Sequence, residues 1–73
     1  MVDVTKLKAR MVLAGYNQRS LVAELRSRGV QISENTFSAK MTGRSDFNVE
    51  DALVICEILS IENPKDRADI FLA

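Results

Sequence analysis

Apolar residues recur along this chain at helical spacing, and each run is bounded by a residue suited to start or stop a helix. Val4, Leu7, Met11 and Ala14 share one face while Lys6, Lys8 and Arg10 lie away from it. That predicts a first helix over 4–14, between an Asp3 N-cap and a Gly15 stop. Asn17 is suited to accept a backbone N–H two or three residues on, and Tyr16 to pack toward Leu21 as a hydrophobic staple. A second helix is therefore predicted from Gln18 to the stop at Gly29, with Leu21, Val22 and Leu25 inward and Arg19, Arg26 and Arg28 toward solvent or phosphate. Gly29-Val30-Gln31-Ile32 predicts a turn in which Val30 or Ile32 plugs the core. Ser33 then caps a third helix, from 34 to 41 or 42, which Gly43 stops.

Beyond it, 44–47 reads as a loop with Phe47 as a core anchor, and Asn48 as the next N-cap, reinforced by Asp51 at the third helical position. The fourth helix, over 49–59, is apolar around much of its circumference, which suits a central helix or one with a partner on a second face. Asn63, Pro64 and Asp66 open a fifth helix over 64–72. Its Ile70, Phe71 and Leu72 must dock on the first or fourth helix, or build a subunit contact. The pattern predicts an all-α fold, one compact five-helix bundle in a single domain over 1–73.

The third helix is the least ordinary. At about 100° per residue, Phe37 and Met41 fall on one stripe and Asn35, Ala39 and Thr42 on the other. Packing alone would call for more large apolar residues, and an idle surface helix for long charged ones. This one presents an amide, a methyl and hydroxyls, the groups that meet base edges in a major groove: Asn for adenine, Ser and Thr for several edges, Ala for the thymine methyl. A short connecting helix would also fit, so its surroundings carry the decision.

Charge changes the picture. The net charge is zero, yet residues 1–44 hold eight basic and three acidic side chains, and residues 45–73 two basic and seven acidic. A chain polarised this way has one half suited to a polyanion. With no His and one Cys there is no disulfide framework, and neither a metal site nor any cofactor is expected. Cys56 is expected to be a buried small hydrophobe. No apolar run approaches the roughly 20 residues of a membrane span and no signal-peptide core opens the chain, so a cytoplasmic location without membrane partners is expected. Nothing resembles a phosphate loop or a paired-carboxylate pocket, so an enzyme is not expected.

From Asn17 to Ile61 the chain resembles the Cro and lambda-repressor-like family of phage and bacterial regulators, in its short phage subgroup. Gln18-Arg-Ser-Leu21-Val22 and Thr36-Phe-Ser-Ala-Lys-Met-Thr-Gly43-Arg44 stand where that family has Gln-x-x-Leu-Ala and its recognition helix. Val22 replaces the family's Ala. The stretch 25–33 is about five residues longer than the family's connection, so the second helix is expected to extend by a turn. The resemblance implies a lambda-repressor-like helix-turn-helix, made by the second and third helices across a lengthened turn. It implies base contacts from Ser33, Asn35, Ser38, Ala39 and Thr42, and backbone contacts from Asn17, Gln18, Arg19, Lys40 and Arg44. Glu34 would cap its helix or accept from a cytosine amine. The implied partner is a double-stranded DNA operator bound by a homodimer; the competing expectation is a modulator or antirepressor that binds another repressor.

Overall fold

Each helix of the computed structural model, which describes residues 2–72, starts on a short polar side chain that accepts a hydrogen bond from its own first turn. The order is α1 (Val4–Leu13), α2 (Gln18–Ser27), α3 (Glu34–Met41), α4 (Val49–Ile58) and α5 (Pro64–Phe71). The caps are Asp3, Asn17, Ser33, Asn48 and Asn63. No strand occurs among the described residues. Caps of this kind stabilise by about 1 kcal/mol each. At α2 the exchange is reciprocal: Ser20 N–H donates to Asn17 Oδ1 at 2.8 Å and Asn17 N–H to Ser20 Oγ at 3.0 Å.

The helix ends share a second device. After α1, α2, α3 and α4 the chain turns through a left-handed residue, and the N–H beyond it reaches back to the last turn: Tyr16 to Met11, Val30 to Leu25, Arg44 to Ala39 and Ile61 to Cys56. Glycine supplies the left-handed residue three times, and Ser60 the fourth, at φ 57°. A side chain there is strained by roughly 1–2 kcal/mol. Ser60→Gly is therefore expected to stabilise the domain by about 0.5–1 kcal/mol, after the extra freedom of glycine in the unfolded chain is subtracted. Urea unfolding at equilibrium measures this, and a loss of stability would contradict it.

The core is one cluster drawn from all five helices. Leu7, Leu21, Leu25, Phe37 and Ile55 are fully buried, with Met11, Met41, Ile61 and Ile70 close to it. Both candidate plugs of the α2–α3 loop serve, since Ile32 is buried and Val30 packs half-buried against the cluster. Phe47 lies between Phe37 and Phe71, edge-on to each at centroid distances of 5.5 and 6.1 Å. The chain ends meet as well: Asp3 N–H donates to the Ile70 carbonyl at 2.6 Å, and Lys6 and Arg10 of α1 pair with Asp69 and Asp66 of α5 at 2.9 and 3.0 Å. Of the two docking options for the C-terminal apolar residues, Ile70 takes the one on α1, whereas Leu72 stays exposed.

Two local expectations need correction, and a third is met in part. The second helix does run on past Leu25, to Ser27 with Arg28 as its C-cap, whereas the rest of the extra length before Ser33 is loop, because Gly29 reverses the chain. Asp51 does not complete a capping box. Asn48 accepts its N–H at 2.7 Å, but the carboxylate turns inward to accept from Lys40 Nζ at 3.0 Å. The first, fourth and fifth helices each end one residue short of their expected limits, at Leu13, Ile58 and Phe71. No helix among the described residues is long and apolar enough to cross a membrane.

Candidate nucleic-acid interface

Two large side chains, Phe37 and Met41, anchor α3, and α2 is the helix packed most closely on it. Lys40 adds a third tie, because its ammonium lies 3.0 Å from Asp51 of α4 and 5.6 Å from the centroid of the Phe47 ring. Both partners are largely enclosed, at 13% and 12% side-chain exposure. The Lys40 ammonium is thus turned into the structure and withdrawn from the outward cations. Its assignment to a nucleic-acid backbone is corrected to a structural one.

The opposite side of α3 has little internal work. Asn35 is exposed, with no side-chain hydrogen bond among the described residues, and Ser38 and Ala39 are half-exposed beside it. Thr42 donates its hydroxyl to the Ala39 carbonyl at 3.1 Å and accepts from Arg44 Nε at 3.3 Å. Ser33 is occupied, since its hydroxyl accepts the Thr36 N–H at 3.1 Å and donates to Thr36 Oγ1 at 2.9 Å. Asn35, Ala39 and Thr42 therefore share an outward face, Ser38 flanks it, and Ser33 serves mainly as the cap.

Arg44 is set apart by its position in the turn that ends α3. The corresponding positions after α1, α2 and α4 are Tyr16, Val30 and Ile61, and all three pack into or against the core. After α3 the same backbone geometry presents an exposed guanidinium, steadied by Thr42. Asn17, Gln18 and Arg19 stand at the start of α2. The reciprocal cap there satisfies the N–H groups of Asn17 and Ser20, and leaves those of Gln18 and Arg19, in the first turn, to an outside acceptor. Such a helix start favours an anion.

About half of the charge asymmetry of the sequence is taken up by ion pairs within the fold. Lys6 pairs with Asp69, Arg10 with Asp66, Arg28 with Glu24 and Glu57, and Lys40 with Asp51. The hydrogen bond from Lys6 to Asp69 raises the pKa of that ammonium above its ordinary 10.5. Among the described residues, the cations of the first half without an ion-pair partner are Lys8, Arg19, Arg26 and Arg44. Arg26 lines an open groove with Gln31, Ile32 and Ser33 beside the front of α3. Cys56 is buried, and that burial pushes its thiol above the ordinary 9.0 despite the nearby Arg67 charge, which suits a packing role.

No family model matches this chain, and neither the curated proteins nor the solved structures contain a significant match to it.

Proposed function

We propose that the protein is a sequence-specific DNA-binding transcriptional regulator of the Cro and lambda-repressor-like kind, of phage or prophage type. It would insert α3 into the major groove of an operator and act as a homodimer on paired half-sites. The observation that carries this reading is the division of α3. Its inward side is fully engaged through Phe37, Lys40 and Met41, while Asn35, Ala39 and Thr42 face outward and Arg44 stands exposed at its end. In the proposal Asn35, Ser38, Ala39 and Thr42 meet bases. Arg44, Arg19, Arg26 and the open N–H groups at Gln18 hold phosphates, with Asn17 orienting that helix start.

Two substitutions test the division of labour. Asn35→Ala is expected to weaken binding to the preferred operator by about 1–3 kcal/mol and to relax preference at one base pair, whereas Arg44→Ala weakens all duplexes alike. Selection of bound duplexes from a random library, repeated with each variant, reads both effects. Equal weakening on every sequence by Asn35→Ala would move that residue to the phosphate set.

Internal pairing of half the cations in the first 44 residues favours a second reading, a module that binds another regulator. A salt series separates the two. With Lys8, Arg19, Arg26 and Arg44 as the available cations, log affinity should fall against log salt with a slope of roughly −3 to −4 per protomer. Absence of duplex binding at low salt would sink the DNA reading.

A further inference from the structure

The loop that joins α2 to α3 stands between two grooves, and Gly29, Val30, Gln31 and Ile32 line both. The groove toward α4 carries three carboxylates, Glu50, Asp51 and Glu57. The other, beside the front of α3, is completed by Arg26 and Ser33, so its lining holds one unpaired cation and no carboxylate. The loop is pinned on both sides of Gln31. Ile32 is buried, Val30 packs half-buried against the core, and Val30 N–H donates to the Leu25 carbonyl at 3.0 Å. Gln31 itself is exposed, and its amide makes no hydrogen bond among the described residues. The backbone N–H groups of Gln31, Ile32 and Ser33 find no acceptor there either. A held stretch of chain thus gathers donors without internal acceptors beside a free guanidinium.

We propose that this groove seats a stretch of the operator's sugar–phosphate backbone, with Gln31 as a phosphate-contacting residue alongside Arg26. The inference rests on the regulator reading and gives the long α2–α3 loop a task within it. Phosphate oxygens accept hydrogen bonds and donate none, so their seat needs donors and a positive charge, free of carboxylates. The groove beside α3 meets that requirement, and its neighbour toward α4 does not. Glu34 is exposed at the start of α3 but does not line the groove. Shape agrees with charge. Base edges lie at the floor of a groove and are reached by a ridge such as α3, whereas the backbone is itself a ridge and fits a concave seat. With α3 entering the major groove, a contact on the loop just before it would fix how far and at what angle the helix enters.

Binding of the full chain to its selected operator and to unrelated duplexes, measured over a salt series, tests this. Gln31→Ala is expected to weaken binding by about tenfold on every duplex, as loss of a hydrogen bond to a charged acceptor does. The slope of log affinity against log salt should stay unchanged, because no charge is removed. Arg26→Gln should also weaken every duplex, and should make that slope shallower by about 1. Replacing operator phosphates one at a time with neutral methylphosphonates should reveal a position at which both substitutions lose most of their effect. Both side chains are exposed, so the variants keep their fold, which circular dichroism checks. Unchanged affinity of Gln31→Ala beside a weakened Asn35→Ala overturns the inference and leaves the regulator reading standing. So does a loss confined to one base pair, or the lack of a shared phosphate. A parent chain that binds no duplex overturns both.

Discussion

Phe37→Ala is expected to cost about 3–5 kcal/mol and to leave a substantial fraction of the domain unfolded near ambient temperature. Phe37 is fully buried and heads the side chains that are wholly withdrawn from solvent. A domain of this length has a total stability of roughly 4–11 kcal/mol, so the loss is comparable with the whole. The damage begins locally, because α3 has only Phe37 and Met41 as large buried anchors and the Phe37 ring also supports Phe47 at 5.5 Å. Amide hydrogen exchange should therefore show α3 and the 44–48 loop losing protection before α1. A thermal melt gives the overall cost. A shift equivalent to less than about 1 kcal/mol would mean that α3 is held by something other than its two apolar anchors.

Lys40→Met is expected to destabilise by about 2–3 kcal/mol, although it replaces a cation with an apolar chain of similar length. The substitution strands Asp51, only 8% exposed, without the ammonium that now lies 3.0 Å from it. Removing one member of an enclosed ion pair costs more than the pair contributes, because the remaining charge keeps its desolvation penalty. The figure is set below that of a fully buried pair since both side chains retain some exposure. The double variant Lys40→Met with Asp51→Leu should recover most of the loss, and urea unfolding of the single and double variants reads the coupling directly. If both single variants stay within about 0.5 kcal/mol of the parent, the pair is a surface contact and Lys40 returns to the outward set.

Helix boundaries were legible because they are written locally. Asp3, Asn17, Ser33, Asn48 and Asn63 accept their bonds from residues two or three positions on, and glycine marks three of the four left-handed turns. Ser60 escaped notice because a serine in that conformation is carried by the packing of Ile61 behind it, which no short window reveals. The two-sided character of α3 was equally local, since Phe37 and Met41 are one turn apart. What could not be read was pairing across the fold. Lys40 and Asp51 each had a plausible local duty, one toward phosphate and one at a helix cap, and only tertiary packing brings them together. The same holds for Lys6 with Asp69 and Arg10 with Asp66, which turn a charge imbalance along the chain into ties between its first and last helices.

The way α3 is held has an evolutionary consequence. Its attachment runs through Phe37, Met41 and Lys40, and Asn35 and Ser38 take no part in it. Mutation at those two positions can proceed with little penalty to folding, so on the proposed reading descendants of this chain would acquire new operators one residue at a time. Their ancestry would remain visible in the anchors while the outward residues diverged.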